Sequence, residues 1–326
     1  MVAAFLINFL FWTGVTIGGM VFAAFVDITG GRWLGPMRII AERFTRFLPV
    51  SFALFVVLMW RGGDVYPWAR TRASSGWFHP AFVALRDTVA LTAVYACAFA
   101  YRRTSRRARN HVEPARLGPT AAMFLIVYAI GFGVLAIDLI MSLEPRWTST
   151  LFPAYILAGN VYAGTAAVAA LSAWTSERRL TDRAIARVRD TANLLVGLAL
   201  FWTYLFWSQF LVIWYGNLTS EVGYLMARID VSRPAGWIVL AMCSAVPSIV
   251  FIPQWGKRLI TVRVVTPLIL IGLWLERWLL IAPDLPNSTS IATIAVTAAF
   301  AAGFLLSVGA HRVGVADDRD PSHLGS

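Results

Sequence analysis

Residues 190–216 read DTANLLVGLALFWTYLFWSQFLVIWYG, and after Asp190 the stretch holds no Asp, Glu, Lys or Arg. Drawn as a helix, it presents apolar side chains on every side, so no face is left for water. About 20 such residues are needed to cross a hydrocarbon core about 30 Å thick. Lipid cannot satisfy the edges of an open sheet, and barrel strands would alternate polar and apolar residues with a period of two. The stretch reads as a membrane-spanning α-helix.

Working outward, comparable apolar runs fall at 3–26, 44–60, 81–101, 118–142, 149–173, 235–255, 259–281 and 289–310, which gives nine spans in all. Turn and charge punctuation separates them: Gly30-Gly31-Arg32, Arg61-Gly62-Gly63-Asp64, Glu144-Pro145-Arg146 and Pro283-Asp284-Leu285-Pro286. The chain of 326 residues is 58% hydrophobic and only 14% charged, too little polar surface for a water-soluble globule of this size. The expected fold is an all-α integral membrane protein, one polytopic domain over 1–316 followed by a polar tail, 317–326. Segment 36–43 reads as a short amphipathic turn at the surface. The first apolar run has no charged region before it and exceeds 20 residues, which favours a retained helix over a cleaved signal peptide.

The net charge of +11 does not point to nucleic acid, because of where it sits. Of the 28 Lys and Arg residues, 20 lie in the loops after odd-numbered spans and in the C-terminal tail, and 6 in the loops after even-numbered spans. This is the positive-inside pattern, and it places the C-terminus in the cytoplasm and the N-terminus outside. Anionic lipid is a sufficient partner for such loops. Cys97 and Cys243 fall inside apolar runs without metal-ligand spacing, and His79, His111, His311 and His323 lie in loops or near span ends. A haem held within the membrane needs histidines inside the helices and an iron–sulfur cluster needs four cysteines, so neither is expected, nor any other metal.

Charges inside spans are costly and are functional candidates by default. They are Arg86 and Asp87 in the third span, Asp138 in the fourth, and Glu276 and Arg277 in the eighth. The charge-derived orientation places all five roughly 5–10 Å below the outer surface at about 1.5 Å per residue. Gln209, Trp214 and Tyr215 of the sixth span fall in the same layer. Asp138-x6-Pro145 is echoed by Glu276-x6-Pro283, which suggests parallel repeats over about 3–145 and 149–283. Three roles stay open for the acids: structural pairing with Arg86 and Arg277, proton or quinol chemistry, and ion transport. Gly14-x-x-x-Gly18 reads as a helix-packing motif.

Several segments together resemble one family. Phe11-Trp12-x5-Gly18-Gly19 with Ile28-Thr29-Gly30-Gly31-Arg32-Trp33, Tyr66-Pro67-Trp68-Ala69 and Phe82-x3-Arg86 are similar to a membrane subunit of alternative complex III, the bacterial quinol:electron-acceptor oxidoreductase that replaces the cytochrome bc1 complex. So are Asp138-Leu-Ile-Met-Ser-Leu-Glu-Pro-Arg-Trp-Thr-Ser-Thr-Leu-Phe152 and Ser208-Gln209-x4-Trp214-Tyr215-Gly-Asn217. The matches run from residue 9 to about 283. They depart from the family where His79 stands for an asparagine, Asn193 for a lysine, and Leu218-Thr219-Ser220-Glu221 for Pro-Glu-Glu. The family also has a further helix before this start.

The resemblance implies an NrfD-type, polysulfide-reductase-like fold: two four-helix bundles plus a flanking helix, about nine membrane helices here. It implies the second of two such subunits, with no redox cofactor of its own and a partial proton path or quinone site. The implied partners are a sister NrfD-like subunit, a multihaem cytochrome c and an iron–sulfur protein, in a bacterial inner membrane. Asp87, Asp138 and Glu276 are then proton-path candidates, Arg86 and Arg277 their charge partners, and His79, Gln209, Trp214 and Tyr215 quinone-site candidates. A stand-alone proton- or ion-coupled transporter, which would place polar groups near the midplane, and a purely structural scaffold are the competing readings.

Overall fold

The computed structural model of the chain describes residues 2–31, 33–61, 66–70, 76–110, 114–175, 182–285 and 291–309, and among these there is no strand. Eight described helices are long and apolar enough to cross a membrane. They are α1 (Val2–Ile28), α2 (Pro36–Arg61), α3 (Pro80–Arg109), α4 (Leu117–Leu139, continued by a 3-10 turn to Leu143), α5 (Phe152–Thr175), α6 (Asp182–Gly216), α8 (Arg233–Phe251) and α9 (Leu259–Ile281). Between α6 and α8 lies the shorter α7 (Thr219–Val231). The ninth expected span corresponds to α10 (Ile291–Val308), whose apolar part is shorter than the others. The protein is an all-α, multi-pass membrane protein.

The contacts group the long helices into two sets, with further contacts of α4 and the start of α2 on α5 and of α1 on α9 crossing between them. In the first, α1 packs on α2 and α4, and α3 packs on α4 and α2; in the second, α5 packs on α6 and α9, and α8 packs on both of those. The sets meet along α1 and α5, the two most enclosed helices, and α10 packs on α1 and the start of α2. Close approach explains this seam. A Cβ on Gly18 would sit 1.8 Å from the Asn160 carbonyl oxygen, and one on Gly164 would sit 2.0 Å from the Gly19 nitrogen. Without glycine at these points the two backbones could not touch.

Two local readings change. Segment 36–43 is not a separate surface turn: it forms the first turns of α2, joined to Leu48–Arg61 through a 3-10 turn at Phe44–Phe47, with Met37, Ile40, Ala41 and Glu42 buried. The arginines from 102 to 109 continue α3 beyond the apolar run rather than forming a loop. At the other end of the molecule α6 stops at Asn217, whose φ of 44° lies in the left-handed region that Asn tolerates better than most residues. The turn there leads directly into α7.

Candidate functional site: a buried carboxyl pair

The third and fourth helices bring Arg86, Asp87 and Asp138 together at the arginine-poor end of the first set. Arg86 crosses from α3 to α4 and donates from Nε and Nη2 to Asp138 Oδ2, at 2.8 and 2.5 Å. Its guanidinium lies over the rings of Trp77 at 3.9 Å and Phe82 at 5.0 Å, and donates to the Trp77 carbonyl. Aromatic faces attract a cation that has been taken out of water. Asp87 and Asp138 are both fully buried. The two carboxyl groups are within hydrogen-bonding reach of each other. Among the described residues Asp87 Oδ1 and Oδ2 and Asp138 Oδ1 meet no N–H or O–H donor. One guanidinium therefore faces two acids.

Beside the pair is a cavity of about 120 Å³ lined by Met59, Tyr66, Trp68, Pro80, Val83, Ala84 and Leu139 among others. Val83 and Ala84 stand one helical turn before Asp87, and Leu139 follows Asp138. At about 30 Å³ per water it has room for roughly four waters, or for the edge of a substituted ring. Tyr66 is enclosed next to both carboxyls, and its hydroxyl donates to the Leu139 carbonyl at 3.3 Å. Trp68 Nε1 donates to Ser142 Oγ, which donates to the Asp138 carbonyl. The Tyr66–Ala69 segment thus roofs the site, a role that its position in a loop did not suggest.

Glu276 and Arg277 pair with each other, and Arg277 also reaches across to α5. Arg277 Nη1 donates to both Glu276 oxygens at 2.8 and 2.6 Å, and Nη2 donates to Asn160 Oδ1 at 3.1 Å. Gly159 makes room for this guanidinium, since a Cβ there would lie 2.9 Å from Arg277 Nη2. The Arg277 guanidinium and the Arg86–Asp138 pair have different neighbours along the helices. Arg277 meets α5 at Ile156 and Asn160, and Tyr128 of α4 bonds α5 at Leu157. That level is ten residues before Asp138 on α4, roughly 15 Å deeper at about 1.5 Å per residue. It is also the level of Gly14, in the middle of α1. α9 runs past Glu276 and Arg277 for only one more turn before the 3-10 turn at Ala282–Asp284, so their backbone stays near the end of the helix while the Arg277 guanidinium reaches back to Asn160.

The remaining candidates do not join the pair. His79 precedes α3 as its capping residue with an exposed side chain. Gln209 is half-buried on α6, and Trp214 and Tyr215 are 65% and 85% exposed at that helix's end. α6 packs in the second set, away from the cavity. His111, His311 and His323 lie outside the described residues.

Three polar groupings had gone unrecognised. Thr13 Oγ1, Ser51 Oγ and Tyr95 Oη form a hydroxyl string across α1, α2 and α3, with contacts of 2.5 and 2.7 Å. Tyr95 shares the buried face of α3 with Asp87, two turns away. At the arginine-rich end Asp27 pairs with Arg38 and accepts from Tyr101 Oη at 2.6 Å, while Glu42 pairs with Arg109 and accepts from Ser105. At the opposite end Trp147 stacks on Tyr224 at 3.7 Å, and Arg228 covers Tyr224 at 3.5 Å and holds Asp284 at 2.5 Å. The stack ties the loop after α4 to α7 and to the end of α9. The helical spacing of Asp87, Tyr95, Tyr101 and Ser105 was readable in the sequence, but a hydroxyl string shows only once three helices are assembled.

Among the described residues no three His, Cys, Asp or Glu side chains converge as a metal site would require. No protein-family model matches the sequence, and no curated protein matches it either.

Proposed function

We propose that the chain is a cofactor-free membrane subunit of a quinol-oxidising respiratory complex in a bacterial inner membrane, and that its first helix set receives protons released by that oxidation. Oxidising one quinol frees two electrons and two protons. In this reading the electrons pass to haem and iron–sulfur centres on partner subunits, and a proton passes to the Asp87–Asp138 pair. The observation that carries the reading is the second buried carboxyl, without a donor among the described residues, beside a small cavity. A buried acid without a partner is expensive, and a proton placed between the two carboxyls supplies both the missing donor and the missing charge. The motifs around Arg86, Asp138 and Trp147 that resemble alternative complex III surround this site, which supports the same assignment. The hydroxyl string below Asp87 and the Asp27–Tyr101 contact beyond it extend the polar face of α3 towards the arginine-rich end.

A proton-coupled transporter is the second reading, favoured by Glu276–Arg277–Asn160 at mid-depth. Purification from native membranes in mild detergent separates the two. Co-purifying multihaem and iron–sulfur proteins with quinol oxidation support the respiratory complex. A monodisperse chain that moves a solute into liposomes, with no such partners, supports the transporter.

A further inference from the structure

The arginine-rich end carries a basic cluster that proton chemistry does not use. The antiparallel register of α2 and α3 is fixed at two levels, by Ser51 Oγ with Tyr95 Oη at 2.7 Å and by Ser105 Oγ donating to Glu42 at 2.8 Å. Between those levels the register brings Arg46 to within about one turn of Arg102, and Val50 and Phe99 lie nearer mid-depth on the same two helices. Arg102 lies within electrostatic reach of Arg46 and Arg106. The one acid close to them, Glu42, is already held by both terminal nitrogens of Arg109. Among the described residues Arg46, Arg102 and Arg106 make no ion pair, and Arg102 Nε is buried with no hydrogen-bond partner. Arg46 also abuts the end of α10, its Nη1 lying 3.4 Å from where a Cβ on Gly309 would stand.

Towards mid-depth the surface turns apolar and open: Val50 is 44% exposed, Phe99 39% and Leu306 70%. Guanidinium groups at a helix end with uncovered apolar side chains one turn away match an anionic headgroup joined to acyl chains. Water alone would hydrate exposed arginines, but a buried Nε aimed at no partner calls for an acceptor brought from outside. We infer that the α2–α3–α10 corner is a binding site for one anionic phospholipid. Arg46, Arg102 and Arg106 take its phosphate through charge-assisted hydrogen bonds, and Val50, Phe99 and Leu306 carry its chains.

The test uses the full chain in mild detergent, with thermal unfolding followed as phosphatidylglycerol, phosphatidylcholine or inorganic phosphate is added. Native mass spectrometry counts the lipid that stays bound. Phosphatidylglycerol should raise the wild-type midpoint more than phosphatidylcholine does, with one molecule retained per chain. Arg102→Gln and Arg106→Gln should each weaken its binding about tenfold. Arg258→Gln, an exposed arginine at the same end outside the cluster, should leave it unchanged. If Arg102→Gln fails to fold, the exposed Arg106→Gln alone decides. Equal effects of the two lipids, equal loss in Arg258→Gln, or full reproduction of the shift by inorganic phosphate would each overturn the assignment.

Discussion

Arg86 holds Asp138 through a single oxygen, Oδ2, which leaves Oδ1 without a donor among the described residues, with a second buried acid, Asp87, close by. Among the described residues this guanidinium is the cation that acts on both buried carboxyls, Asp138 through hydrogen bonds and Asp87 through space. Its loss should be felt by both. Arg86→Met is expected to destabilise the chain by about 3–5 kcal/mol, the usual result of removing one partner of a buried pair. Adding Asp138→Asn should recover most of that loss, because the stranded charge is then gone. A double-mutant cycle on thermal unfolding in detergent reads this directly, and additive effects would contradict a shared charge balance.

The seam between the helix sets should be intolerant of a single methyl group. Gly18→Ala places its Cβ into the backbone of Asn160, and neither helix can retreat without dragging its whole set. A loss of about 3 kcal/mol or more is expected, at the upper end of overpacking costs. Gly197→Ala, where nothing lies within 4 Å, should be neutral to within about 0.5 kcal/mol and can gain slightly from helix propensity. Paired melts of the two variants check both signs at once.

Filling the cavity tests access without touching either acid. Ala84→Phe adds a ring to a wall that the cavity shares with Met59 and Tyr66. Quinol turnover in the assembled complex should fall at least tenfold while assembly and the melt stay close to wild type. Turnover at the wild-type rate, with the ring confirmed in place, would remove the cavity from the proton route.

Tyr95→Phe deletes the end of the hydroxyl string that meets Ser51. A merely structural hydroxyl would cost about 1 kcal/mol and nothing else. A conducting one would also slow proton release measured with a pH indicator during turnover. Unchanged release kinetics alongside the small stability loss would assign the string to packing.

The fold was legible in the sequence because lipid imposes a strict rule: runs like 190–216, with no polar face, have one way to exist in a membrane. The residues of the site were legible as well, since Arg86, Asp87 and Asp138 stand out against an apolar background. Their partners were less so. Neighbouring opposite charges gave no reason to choose Arg86 with Asp138 over Arg86 with Asp87, nor Glu276 with Arg277 over a cross-helix pair. Counting from span ends locates the backbone of Arg277 but not its guanidinium, which reaches back along its own helix to Ile156 and Asn160. Gln209, Trp214 and Tyr215 lie on a helix of the other set, a matter of packing that no single span encodes.

Quinol turnover of Asp87→Asn in the intact complex, beside Glu276→Gln, tests the central claim most directly. Asparagine keeps the size of Asp87 and cannot exchange a proton. The account predicts normal assembly with kcat reduced at least tenfold in Asp87→Asn, against little change in Glu276→Gln, whose acid lies away from the cavity. Full turnover in correctly assembled Asp87→Asn would contradict it.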